Sequence, residues 1–318
     1  MYTVHDLKPR SEVTQSTVCC PVLGCTRVVP RQVRVFRRSS EFLCPDHRIY
    51  IGPTTFEYED LVDNLLWSSS VDLSLLEAIQ SVKRESRIAR ERSEDAVSWN
   101  VFRGLEHTGL LSPWLTSIIG SAQSNPDVHY WSFDQTVMNI WPPLERARGA
   151  FAELPSRGSE PDLVIETKEA DIWIEAKVGS SNNTEPSDEI GARNRYSEGA
   201  DGWLAKVCTQ DFDSIAVTAK RYELLRLWLL GSHAAHLRSK RFVLVNLVCE
   251  GREKDVEKFT ELAFRQDVDR TFRRATWEAM LPHLRPGGDE NVDRLRHYLQ
   301  TKTLGYDSAG RLVKAFAV

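Results

Sequence analysis

Two groups of residues in this chain have the side chains and the spacing to do chemistry. The first is Pro161-Asp162, followed after twelve intervening residues by Glu175-Ala176-Lys177. Side chains alternate between faces along a strand, so Glu175 and Lys177 project to the same side. Ile172, Ile174, Ala176 and Val178 then fill the other face with core. Asp162 opens the preceding segment and can stand beside Glu175 across a hairpin. Two converging carboxylates make a hard oxygen site suited to Mg²⁺ or Mn²⁺. A lysine next to them can orient or deprotonate an attacking water, or stabilise charge developing on a phosphate.

The second group is Cys20-Pro-Val-Leu-Gly-Cys25 with Cys44-Pro-Asp-His47. Each is a short knuckle holding two soft ligands on a tight turn, with Gly24 permitting the turn and the prolines stiffening it. Three thiolates and an imidazole make a closed, tetrahedral, structural Zn²⁺ site. Cys19 competes with Cys20 for one ligand position. An N-terminal piece of about 40 residues could hardly stay folded without such a staple. Cys208 and Cys249 sit in unrelated contexts and read as ordinary buried thiols.

The elements that must position the first group are legible around it. Asp162–Thr167 and Asp171–Val178 read as two strands joined by a short polar link, an antiparallel hairpin. Tyr130–Ile140 is rich in aromatic and β-branched residues and predicts a strand. Lys220–Leu237 predicts a helix, apolar nearly all round and so largely buried. Phe242–Val248 is a continuous apolar run, the pattern of a central strand covered on both faces. Residues 59–111 follow a helical pattern that Ser112-Pro113 is expected to end. Residues 179–202 predict a polar loop or frayed helix, and the stretch after Val248 reads as helical. This order predicts an α/β fold, a mixed sheet flanked by helices, with a small N-terminal zinc-binding module. The expected divisions are a zinc-binding module over 15–56, a helical linker over 57–85, a catalytic domain over 86–282 and a C-terminal extension over 283–318.

The pattern Pro161-Asp162 … Glu175-Ala176-Lys177 resembles the PD-(D/E)xK, or restriction-endonuclease-like, nuclease superfamily, and the knuckles resemble those of zinc ribbons and treble clefs. The nuclease resemblance covers roughly half the chain, from about Arg87 to Glu250. It implies that Asp162, Glu175 and the backbone carbonyl of Ala176 bind the catalytic metal and that Lys177 assists the water. Relatives commonly add an acid from the helix before the sheet, for which Glu94 is the candidate; its other role is a first-turn acid behind an N-capping Ser93. Many relatives also carry a glutamine followed by a tyrosine after the lysine. No clean copy exists here, but Arg193 and Tyr196 stand in about the right place, and Tyr222 with Arg226 forms a second pair.

The resemblance therefore implies a metal-dependent endonuclease acting on DNA, of restriction or phage-defence type, working as a homodimer or with a defence-system partner subunit. The alternative is a catalytically silent copy of the fold that binds nucleic acid or a protein through the zinc module. A formal net charge of −4 argues weakly against a polyanion partner. Local charge argues for one: Arg27, Arg31, Arg34, Arg37 and Arg38 lie between the knuckles against a single acid, Glu41. A second basic run, Lys83, Arg84, Arg87, Arg90 and Arg92, is diluted by Glu85 and Glu91 and also suits a solvated helix face. No apolar run of membrane-spanning length and no secretory pattern are present, so the expectation is a cytoplasmic protein with reduced thiols and no membrane partner.

Overall fold

The structure is a computed structural model that describes residues 6–33, 35–83, 87–121, 123, 125–154 and 158–318. Its N-terminal elements are β1 (Thr17–Cys19), β2 (Val28–Pro30), β3 (Leu43–Cys44), β4 (Ile49–Ile51), β5 (Phe56–Tyr58), α1 (Ser70–Val82), α2 (Glu94–His107) and α3 (Leu111–Ile119). Then come β6 (Asp127–Tyr130), β7 (Phe133–Asp134), β8 (Asn139–Ile140), α4 (Pro142–Ala150), β9 (Leu163–Glu166), β10 (Ala170–Ala176) and α5 (Glu189–Val207). The chain ends with α6 (Tyr222–Leu237), β11 (Arg241–Val248), α7 (Val256–Ala263), β12 (Arg270–Thr276), α8 (Glu290–Thr301), β13 (Thr303–Tyr306) and β14 (Leu312–Lys314).

These elements form two compact units. One comprises Met1–Leu73, Glu85–Gly109 and Trp277–Val318; the other comprises Ser74–Arg84 and Leu110–Thr276. The units interleave along the chain. The reason is local packing: α2 lies against α8, and Gly104 is needed there because a Cβ would crowd Leu295 and Trp67. In the same unit the short strands β1–β5 bury Val18, Val22, Val29, Ile49, Ile51, Phe56 and Tyr58 around the knuckle cysteines.

The second unit is a mixed α/β layer structure. Its five-stranded sheet runs β12-β11-β10-β9-β6, with β12, β11 and β10 mutually parallel and β9 and β6 antiparallel to their neighbours. Central β11 is buried along nearly its whole length, as its unbroken apolar run requires. Helix α6 packs on β10 and β11, and Gly231 lets it approach, since a Cβ there would overlap the Phe242 ring. Trp173 of β10 meets Phe242 edge-on at 5.8 Å in this core.

Several local expectations differ. The strand predicted over Tyr130–Ile140 stops at Tyr130, because Trp131 and Ser132 adopt positive φ and turn the chain into the small β7–β8 hairpin. Ser112-Pro113 begins helix α3 and does not end one; proline in a first turn forfeits no helical hydrogen bond. β12 occupies a stretch whose arginines hid its strand character, and those charges suit an edge strand. Residues 179–202 include the start of α5, which bends where Ala200, Asp201 and Gly202 take left-handed φ.

Candidate functional site

The hairpin that carries the acids is a product of register. Leu163 pairs with Ile174 across β9 and β10, which sets Asp162 at the mouth of the hairpin next to Glu175. The Asp162 carboxylate accepts a hydrogen bond from the amide of Ala176 at 2.8 Å, and its own carbonyl accepts from Trp131 N at 2.8 Å. Asp171, Trp173 and Glu175 share the face of β10 that α6 covers, while Ile172, Ile174 and Ala176 fill the other. Both faces are buried, so this is an inner strand and not a surface hairpin. Glu175 sits at the strand's end, opposite Asn246 of β11 and near the first turn of α6. There Glu223 reaches Lys177 at 3.1 Å, and Lys177 also pairs with Glu175.

This corner holds an excess of acid. Glu175 is 3% exposed. Burial pushes its carboxyl well above the ordinary range; Lys177 opposes that, and the charges of Glu223 and Asp162 add to it. Burial alone would lower the Lys177 ammonium, but Glu175, Glu223 and Asp162 outweigh it and hold the lysine above its usual range. Lys177 is therefore a persistent cation among three carboxylates. Sequence reasoning named Asp162, Glu175 and Lys177 but missed Glu223, although Tyr222 and Arg226 on either side were noted; the acid's signal was its place on the helix that covers the β10 end.

Other candidates fall elsewhere. Glu94 opens α2 in the other compact unit, half-buried, behind Ser93, whose hydroxyl caps the helix by accepting from Ala96 N at 3.2 Å. Asn100, further along α2, is fully buried and bonded to the backbone of Asn64 and Leu66. Arg193 bridges Glu189 at 2.6 Å and Asp213 at 2.7 Å. Tyr196 is fully buried; its hydroxyl donates to Glu153 and accepts from Arg226 Nε at 2.9 Å. Arg193 is thus held by two carboxylates on the surface, and the Tyr196 hydroxyl is committed to Glu153 and Arg226.

The cysteine–histidine group closes on itself. The ligand atoms of Cys20, Cys25, Cys44 and His47 all lie within 4.8 Å of one another, and among the described residues no other Cys, His, Asp or Glu group of three or more does so. Cys25 Sγ and Cys44 Sγ are 3.9 Å apart, and His47 Nδ1 lies 3.5 Å from Cys44 Sγ and 3.7 Å from Cys20 Sγ. A tetrahedron with zinc–sulfur and zinc–nitrogen bonds of ordinary length has edges of roughly 3.5–3.8 Å. The cluster could therefore bind a metal such as zinc. Gly24 takes φ +77°, the left-handed turn its knuckle needs. Burial, with the nearby Cys44 and Cys25, raises the Cys20 thiol, so the donors favour a proton until a cation replaces it. The choice between Cys19 and Cys20 falls to Cys20: Cys19 Sγ instead accepts from the Lys8 ammonium at 3.2 Å.

The arginines between the knuckles divide by partner. Arg27 pairs with Asp46, Arg31 bonds the carbonyl of Thr14 at 2.8 Å, and Arg38 grips Glu57 at 2.6 Å and the carbonyl of Tyr58 at 2.8 Å. Arg37 keeps its side chain exposed. Arg34, like Arg84 of the second basic run, lies outside the described residues. In that second run Arg90 pairs with Glu57 at 2.9 Å, which favours a structural part for it. No described helix is long and apolar enough to cross a membrane. No family model matches the chain, and comparison with curated proteins and with solved structures returned no match.

Proposed function

We propose that this protein is a divalent-metal-dependent nuclease with a restriction-endonuclease-like core, hydrolysing phosphodiester bonds. The observation that carries this is the acid excess at the end of β10, where, among the described residues, Asp162, Glu175 and Glu223 lie around one cation, Lys177. Asp162 and Glu175, with the carbonyl of Ala176, would hold Mg²⁺ or Mn²⁺, which when bound supplies positive charge that polarises a phosphate and its attacking water. Lys177 stays protonated, so it orients that water and stabilises charge on the phosphate and does not take the proton. Glu223 restrains the lysine and is the acid left to receive a proton. The resemblance favours DNA as substrate and a restriction or phage-defence setting. Cys20, Cys25, Cys44 and His47 take zinc as a structural ion, and exposed Arg37 remains a candidate phosphate contact.

A catalytically silent scaffold is the weaker reading, because a purely structural strand end gains nothing from unbalanced buried acid. Incubation of the purified protein with plasmid, single-stranded DNA and RNA tests the proposal. Cleavage of DNA is expected with Mg²⁺ or Mn²⁺ and none with EDTA; no cleavage of any substrate in either metal would overturn it.

A further inference from the structure

Arg193 and Tyr196 are engaged internally, yet between them in the chain Arg195 faces a cleft. This cleft, about 160 Å³ in volume, is lined by Ser187, Asp188, Arg195, Tyr222 and Arg226 among others. It is smaller than the roughly 300–1,000 Å³ of pockets that enclose a whole small molecule, so it suits one group of a larger ligand. Its floor is rigid. Arg226 donates through Nε to the Tyr196 hydroxyl at 2.9 Å and through Nη2 to Glu153 at 3.3 Å, and it lies 5.3 Å over the Tyr222 ring. Glu153 is in turn fixed by the amide of Ser159 at 2.6 Å and its hydroxyl at 2.7 Å. Among the described lining residues the one acid, Asp188, turns its carboxylate to cap α5, accepting from Gly191 N at 3.0 Å. Arg195 is half-buried and lies 5.9 Å over the Tyr196 ring, with no carboxylate partner recorded among the described residues.

We propose that this cleft is a phosphate subsite, in which Arg195 contacts a phosphate group of a nucleic-acid strand in front of the fixed Arg226. The cleft and the acid corner share the first turn of α6: Tyr222 lines the one, and Glu223 contacts Lys177 in the other. A strand with one phosphate at the Asp162–Glu175 corner therefore offers a neighbouring phosphate to Arg195, and a guanidinium matches phosphate geometry with paired donors. The inference rests on the nuclease reading for its choice of ligand, but its test does not depend on cleavage.

The full chain, zinc-loaded and in buffer without Mg²⁺ or Mn²⁺, is titrated by calorimetry with inorganic phosphate and by fluorescence anisotropy with a single-stranded DNA oligonucleotide over a range of salt. The wild type should bind both saturably. Arg195→Gln should weaken each roughly tenfold and reduce the salt slope of oligonucleotide binding by about one contact. Arg195→Lys should recover part of the loss, and Arg193→Gln should match wild type. Absence of saturable phosphate binding, or equal binding by Arg195→Gln, overturns the subsite. Loss of phosphate binding alone, with oligonucleotide binding unchanged, assigns the cleft to free phosphate and overturns the strand assignment. Because neither Mg²⁺ nor Mn²⁺ is present, either failure leaves the proposed cleavage chemistry standing, and failure of that chemistry leaves these titrations unchanged.

Discussion

The two ends of β10 are built from the same kinds of residue and balance differently. At its start, fully buried Asp171 and neighbouring Glu166 face two cations, Arg238 and Lys240, with Arg238 Nη1 reaching both Asp171 oxygens at 2.7 Å. At its end, among the described residues, Asp162, Glu175 and Glu223 face one cation, Lys177. The first end is closed: burial raises Asp171, the two cations oppose it, and the same cations hold Glu166 below its ordinary range despite its partial burial. The second end is short of positive charge. Buried ion clusters are weak sources of stability, so an unbalanced one calls for a ligand that completes it. The difference separates a clamp from a site without appeal to the residue types themselves.

Mutation should break the two ends in opposite ways. The largest effect is expected at the balanced end, where Arg238→Ala removes both hydrogen bonds to the buried Asp171 carboxylate, leaves it only Lys240 at 3.5 Å, and should cost about 3 kcal/mol by denaturant unfolding. Glu175→Gln at the other end removes one of the competing acids and keeps a hydrogen-bond acceptor for Lys177. It should lie within ~1 kcal/mol of wild type, or above it, while losing metal affinity. Equal destabilisation by the two substitutions would erase the contrast.

Proton linkage sharpens it further. The raised Glu175 carboxyl binds its proton more tightly folded than unfolded, so this group weakens the fold as pH rises above the ordinary carboxylate range. Metal binding must expel that proton, and Mn²⁺ affinity measured by calorimetry should therefore rise with pH until Glu175 is ionised. Glu166, held low, has the opposite sign: its stabilisation is present above the ordinary carboxylate range and is lost as acid carries the pH down through its folded value. Mn²⁺ affinity independent of pH would place the metal away from Glu175. The smallest expected effect is at Cys19. Cys19→Ser should leave about one bound metal per chain by elemental analysis, whereas Cys20→Ser should lose it; loss in both would reopen the ligand set.

Much of this corner was legible because it lies on strongly patterned elements. The hairpin of β9 and β10, the buried run of β11 and the apolar helix α6 all stand within a few residues of where periodicity sets them. The knuckles were legible because tetrahedral ligation demands short spacings. What escaped depended on packing between distant segments. That α2 packs on α8 cannot be read from α2 itself. Glu223 meets Lys177 only because α6 packs on β10. Arg195 could be told from Arg193 only by the carboxylates, Glu189 and Asp213, that occupy the latter.

The most direct test of the central claim is cleavage of plasmid DNA in Mg²⁺ or Mn²⁺ by Asp162→Ala, Glu175→Ala and Lys177→Ala beside wild type, with Mn²⁺ binding measured on each. All three should be inactive. Asp162→Ala and Glu175→Ala should lose Mn²⁺, while Lys177→Ala should keep it, since the lysine is not a ligand. Metal-dependent cleavage that persists in Asp162→Ala and Glu175→Ala would contradict the assignment of the active site to this corner.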